Sequence, residues 1–288
     1  IDQRGTGDSN PLDCRAPREA EPIDETFDDA RTVARLQACR ERLTAQGNDL
    51  AQYATWIAVR DFDRVRAALG YSSVDLWGAS YGTRAALEYA RQFPDRVRAM
   101  VLDGVAPANM ILPASFARDT DAALDAWAGA CAADARCAAR APDPRAAADA
   151  LLARAADRPI IAVTDPLTGN LERVPLTRQA VIAMLRAPMY VPSTGAVLPY
   201  ALARAAQGDY TPLVATASTL SGAMRQGFSE GMHFSVICAE DLPLVTAQTR
   251  AEVAGTRIGA DLLDQYARVC AGWPVRSVRR LRAAMFGV

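Results

Sequence analysis

The sequence predicts an α/β protein, a parallel-sheet core followed by a large and mainly helical insertion. Three observations carry that expectation. A strand, a helix and a second strand succeed one another between residues 73 and 107. Half of the 288 residues are hydrophobic, enough to bury a full core. Beyond Pro107 the alternation gives way to helical periodicity.

The elements follow in order. The opening stretch IDQRGTGDSNPLDC reads as the end of a strand running into a glycine-rich loop, with Asp2 and Arg4 placed for a buried ion pair. FDDARTVARLQACRERLTAQG (27–47) and TWIAVRDFDRVRAALG (55–70) show helical spacing, and Gly47 and Gly70 are C-terminal stops. VDLWG is a short apolar strand. TRAALEYARQF is a helix with its apolar face at Ala85, Leu87, Tyr89 and Ala90, halted by Pro94, and VRAMVLDG is the second strand. A crossover of this kind joins parallel strands.

Five helices are then expected in ASFARDTDAALDAWAGAC, DPRAAADALLARAA, LTRQAVIAMLRA, VLPYALARAAQG and DLLDQYARVCAG. One hairpin interrupts them, PIIAVTD and LERVPLT about the turn residues PLTGN. The expected organisation is a core over residues 1–107, a mainly helical cap with one hairpin over 108–270, and the start of a return to the core over 271–288.

Composition narrows the function. The formal net charge is -1 and no basic cluster is interleaved with aromatics, so nucleic acid and anionic membranes are not the expected partners. No apolar run reaches the roughly 18 residues of a membrane span. The six cysteines fall into three local pairs, Cys14 with Cys39, Cys131 with Cys137, and Cys238 with Cys270. An even count suits disulfides in an oxidising compartment, although sequence does not choose among the pairings, and free buried thiols are the alternative. With no CxxC pair and a single histidine, neither a metal site nor any other cofactor is expected.

GASYG at residues 78–82 is the stretch that carries chemistry. A nucleophilic serine at the tip of a strand must be lifted on a tight, strained turn so that a base and a substrate carbonyl both reach its hydroxyl. The positions two before and two after it must then be small, and Gly78 and Gly82 meet that demand. Ser80 is the candidate nucleophile. The backbone N–H of Tyr81, at the start of the following helix, is the candidate oxyanion donor.

The segments DQRGTGDSNPLDC (2–14), RDFDRVRAALG (60–70), LWGASYGTRAALEYARQFPDRVRAMVLDGVAP (76–107) and ICAED (237–241), with CAGWP further on, resemble the secreted tripeptidyl aminopeptidase-like branch of the proline iminopeptidase family. These are α/β-hydrolase serine peptidases. The resemblance implies an α/β-hydrolase fold with a sheet incomplete at both ends, and a serine exopeptidase acting on peptides with a free N-terminus. It also implies a secreted or periplasmic location. By that resemblance the second oxyanion donor precedes Ile1, and the catalytic Asp and His follow Val288. The chain, which opens without methionine or a leader-like segment, is thus expected to be a fragment, inactive by itself.

Two further sets of residues are candidates. His233 is the only imidazole and, with Asp103 at the end of the second strand, preserves the chain order serine, acid, histidine found in this fold, although a histidine beside the apolar FSVI run is also a natural structural residue. Glu240 and Asp241 in ICAED are candidate carboxylates for a substrate ammonium group, or a solvated acidic turn or helix cap. The rival functions are a carboxylesterase, which shares Ser80 but needs no amine-binding acids, and a non-catalytic binding protein of the same fold.

Overall fold

The computed structural model describes residues 1–14, 28–166, 168–225 and 228–276. Phe27, Leu167 of the expected hairpin turn, and the stretch 277–288 of the expected return to the core lie outside the described residues.

Residues 1–14 form tight turns, with one isolated bridge between Thr6 and Ser9, where the sequence suggested a strand end. The reason is local. Gly5, Gly7 and Asn10 all have positive φ (85°, 52° and 56°), a backbone that cannot extend. The expected Asp2–Arg4 pair does not form either. Arg4 makes a two-pronged bond to Asp61 at 2.5 and 2.7 Å, while the Asp2 carboxylate accepts from the Asp8 N–H.

Helices α1 (Asp29–Ala45) and α2 (Thr55–Ala68) follow. The Asp28 side chain caps α1, and Gly47 and Gly70 lie beyond the two ends with φ of 89° and 77°. Strand β1 (Val74–Ala79), helix α3 (Tyr81–Gln92) and strand β2 (Val97–Asp103) form the expected unit. β1 and β2 pair in parallel, with Trp77 opposite Val101 and Ala79 opposite Asp103. Trp77 and Val101 are 73% and 59% exposed, so this face of the two-stranded sheet is open among the described residues. Helix α3 buries Ala85 and Tyr89 as expected, against Val59 of α2. It also buries Arg84 and Glu88, while Leu87 stays only partly covered. Both charges are paired, Arg84 with Asp241 and Glu88 with Arg91, which makes their burial tolerable.

The rest is helical apart from the antiparallel hairpin of β3 (Ile160–Thr164) and β4 (Leu171–Pro175). Before it come α4 (Ala114–Ala133), α5 (Ala135–Arg140) and α6 (Pro144–Arg154). After it come α7 (Arg178–Arg186), α8 (Pro192–Gly195), α9 (Leu198–Ala206), α10 (Thr211–Arg225), α11 (Glu230–Glu240), α12 (Ala247–Ala254) and α13 (Asp261–Cys270). One apolar cluster joins α4, α6, the hairpin, α7, α9 and α10 through side chains such as Leu124, Leu152, Val163, Leu185 and Leu213. A second joins Leu12, α1, α11 and Trp273. Helix α11 therefore links the opening loop to the helical region. Disulfides Cys14–Cys39, Cys131–Cys137 and Cys238–Cys270 tie the loop to α1, α4 to α5, and α11 to α13.

Candidate active site

The centre of the site is the turn between β1 and α3. Ser80 stands there with φ 52° and ψ -121°, a conformation that side chains other than glycine rarely adopt. Its N–H donates to the Asp103 carbonyl at 2.9 Å, and its own carbonyl accepts from the Thr83 N–H and, at 2.6 Å, the Thr83 hydroxyl. Thr83 Oγ1 in turn accepts from the Ala106 N–H at 2.8 Å, so the turn is held from the chain beyond β2 as well. The residue is exposed. Tyr81 is the first residue of α3, a position whose N–H has no partner within the helix and points along the positive end of its dipole.

The two glycines are not equivalent. A Cβ at Gly78 would lie 2.4 Å from the Gly82 carbonyl oxygen and 2.6 Å from its carbonyl carbon, a clash with backbone that cannot move away. A Cβ at Gly82 meets nothing within 4 Å among the described residues. The close approach of strand and helix therefore falls on Gly78, and the symmetrical demand expected from the sequence is not what the geometry imposes.

Behind the turn, a chain of polar contacts fixes the Tyr81 side chain. Gln3 Nε2 donates to the Tyr81 hydroxyl at 3.0 Å, and that oxygen lies 2.8 Å from Thr55 Oγ1. The Thr55 N–H donates to Glu240 Oε1 at 2.5 Å. Glu240, at the end of α11, thus reaches the nucleophile turn through two residues. Burial, with some help from the neighbouring Asp241 charge, pushes its carboxyl up to about 7 against the pull of the Thr55 bond.

Asp241 is in a different position. It is fully buried, accepts from Arg84 Nη1 at 2.8 Å and from the Leu112 N–H at 3.3 Å, and caps the C-terminal end of α11. Its charge is neutralised by Arg84, itself buried and also bonded to the Met110 carbonyl. The two acids read together in the sequence are therefore split, one held in an internal ion pair and one facing the turn.

His233 has other partners. Its Nε2 and the Tyr266 hydroxyl are 3.0 Å apart, and its ring packs on Phe228, Phe234 and Tyr266. Burial, with the charge of Arg186, lowers its pKa to about 4, so it is neutral. Among the described residues it shares no hydrogen bond with Ser80 or Asp103, and Asp103 meets Ser80 only through its backbone carbonyl. No cluster of histidine, cysteine and acidic side chains suited to a metal occurs among the described residues.

Gln3, Thr55, Arg84 and Met232, whose sulfur lies 4.0 Å from Gln3 Nε2, are site neighbours to which the sequence assigned no role, although Gln3 lies in DQRG, Thr55 opens TWIAVR and Arg84 lies in TRAALEYARQF.

A serine on a strained strand-to-helix turn at the end of a parallel strand defines the hydrolase class of α/β proteins. A family model described as alpha/beta hydrolase fold matches residues 1–154, more than half of the 288 residues, and the chain belongs to that family. Among curated proteins it is similar to a tripeptidyl aminopeptidase of Streptomyces lividans, 37% identical over 116 residues, which cover 36% of this chain and 21% of that protein. It is also similar to serine protease Hip1 of Mycobacterium tuberculosis, 48% identical over 62 residues covering 22% of the chain and 12% of that protein. A proline iminopeptidase of Xylella fastidiosa is 35% identical over 57 residues, 20% of the chain and 18% of that protein. The matched region thus spans about a fifth or less of these relatives' lengths. Their names agree with the family branch that the sequence motifs resemble.

Proposed function

We propose that this chain carries the nucleophile segment of a serine aminopeptidase that releases short peptides or single residues from peptide N-termini. The observation that carries the reading is the positive-φ conformation of Ser80 at the mouth of α3, with Tyr81 behind it. Ser80 attacks the carbonyl carbon of the scissile peptide bond, its proton passing to a base. The Tyr81 N–H and the α3 dipole stabilise the oxyanion, and water then releases the acyl group. Peptidase rather than esterase chemistry is favoured by Glu240. A carboxylate held beside the turn, and short of a compensating cation of its own, gains its counter-charge from a substrate ammonium group. Asp241 has no such role, because Arg84 already neutralises it.

His233 is bonded to Tyr266 and shares no hydrogen bond with Ser80 among the described residues, which supports the reading that it is not the base and that the chain by itself is inactive. The three disulfides support a secreted or periplasmic setting. No helix among the described residues is long and apolar enough to cross a membrane.

The test is to assay the chain alone and again expressed with its flanking coding sequence, on peptidyl nitroanilides with free and with acetylated N-termini. The chain alone is expected to give no turnover. The longer form is expected to cleave the free-amine substrates, to lose on the order of 10⁶ in rate as Ser80→Ala, and as Glu240→Gln to lose its preference for the free amine. Undiminished cleavage by the Ser80→Ala form overturns the nucleophile assignment. Equal handling of both substrates by the unmodified enzyme overturns the free-amine requirement and the role of Glu240 in it.

A further inference from the structure

The aromatic cluster around His233 takes no part in the chemistry above, and its composition points to a ligand. At the end of α7, Arg186 lays its guanidinium carbon 4.0 Å from the ring centre of Phe116 on α4 and 5.0 Å from that of Tyr190, and it donates to the Tyr190 hydroxyl. Helix α13 packs on α4, α7 and α11, which brings this group beside a second set of rings. There His233 lies 5.0 Å from Phe228, 5.1 Å from Phe234 and 5.6 Å from Tyr266, centre to centre.

Three properties separate this cluster from ordinary packing. Arg186 is partly buried yet bonds to no carboxylate among the described residues, whereas the neighbouring arginines along the chain, Arg178 and Arg204, each have one. A partly desolvated guanidinium stacked on rings, with one Nη donating to Tyr190, keeps its other in-plane donors for a planar anion. The rings of Phe228 and Tyr190 are 50% and 49% exposed, so flat apolar surface stands open at the rim. His233, neutral and hydrogen-bonded to Tyr266, adds a further ring face without a competing charge.

We propose that Arg186, Tyr190, Phe228 and His233 form a binding site for an aromatic residue bearing a free carboxylate, the C-terminal residue of a short peptide. The carboxylate takes the Arg186 fork and the side chain stacks on the rings. The inference rests on the peptidase reading only for the source of the ligand.

Isothermal titration of the chain with N-acetylphenylalanine, N-acetylphenylalanine amide and N-acetylalanine tests it. The aromatic acid is expected to bind, with the amide and the alanine compound weaker by about tenfold or more. Arg186→Met is expected to abolish the difference between acid and amide. Should that variant fail to fold, as read by circular dichroism, Phe228→Ala removes only a half-exposed ring and is expected to weaken the acid and the amide alike. No binding by the unmodified chain, equal binding of acid and amide, or full affinity in either folded variant overturns the proposal. These outcomes are read without catalysis, so they leave the assignment of Ser80 to its own test.

Discussion

At the scale of single residues, the turn that presents Ser80 depends on one missing methyl group. Gly78→Ala is expected to prevent the turn from closing, because its Cβ would stand 2.4 Å from a backbone oxygen. Gly82→Ala is expected to be neutral or stabilising by up to about 1 kcal/mol, since its Cβ enters open space within a helix. Urea titration of the two variants distinguishes them. The Arg84–Asp241 pair makes a second case. Arg84→Met removes the guanidinium that pairs with the fully buried Asp241 carboxylate and is expected to cost about 3–5 kcal/mol. Changing both partners to apolar residues is expected to recover much of that loss, because the penalty lies in the cost of burying the charge rather than in the missing attraction.

At the scale of elements, α11 decides where the site lies. It was legible only in pieces, as an apolar FSVI run and an acidic ICAED turn. A helix that is buried on nearly every side has no polar stripe to give it a period, and Gly231, Met232, Phe234, Ser235, Val236, Ile237, Cys238 and Ala239 are all buried. Helices α1, α2, α3 and α4 each carry polar residues on an outward face, and their spans were readable to within two or three residues. Cys238 sits two residues before Glu240 and is bridged to Cys270 on α13, so this disulfide steadies the carboxylate as well as the fold. By loop entropy, opening this bridge, with a separation of 32, should cost about 1.5 kcal/mol more than opening Cys131–Cys137, with a separation of 6. Calorimetry of the two paired Cys→Ala variants checks the order. A reversed order would show that α11 is held chiefly by its packing.

At the scale of the whole molecule, two groups on α11 give stability opposite dependences on pH. Glu240 has its pKa raised from 4.5 to about 7 on folding, so the native state holds the extra proton between those values and this contribution to stability is lost as pH rises through that window. His233 has its pKa lowered from 6.5 to about 4, so the unfolded state holds the extra proton and stability is lost as pH falls from 6.5 towards 4. Between about 4.5 and 6.5 the two slopes oppose each other. The melting temperature of Glu240→Gln is therefore expected to rise with pH across that interval, and that of His233→Gln to fall, while the unmodified chain stays flatter than either. Thermal melts at closely spaced pH values would expose an error in either assignment.

What the sequence by itself determined is local. It specified the strand, turn and helix about Ser80, the hairpin of β3 and β4, the amphipathic helices and the family resemblance, because period, turn residues and the GASYG spacing act over a few residues. The tertiary structure alone decided which distant groups meet. It placed Glu240 beside Thr55 and so next to Tyr81, gave Asp241 to Arg84, turned Arg4 to Asp61 rather than Asp2, and set His233 against Tyr266. Those choices follow from burial. A charge that packing takes out of water must find a partner wherever the fold brings one, and no spacing along the chain records which one that will be.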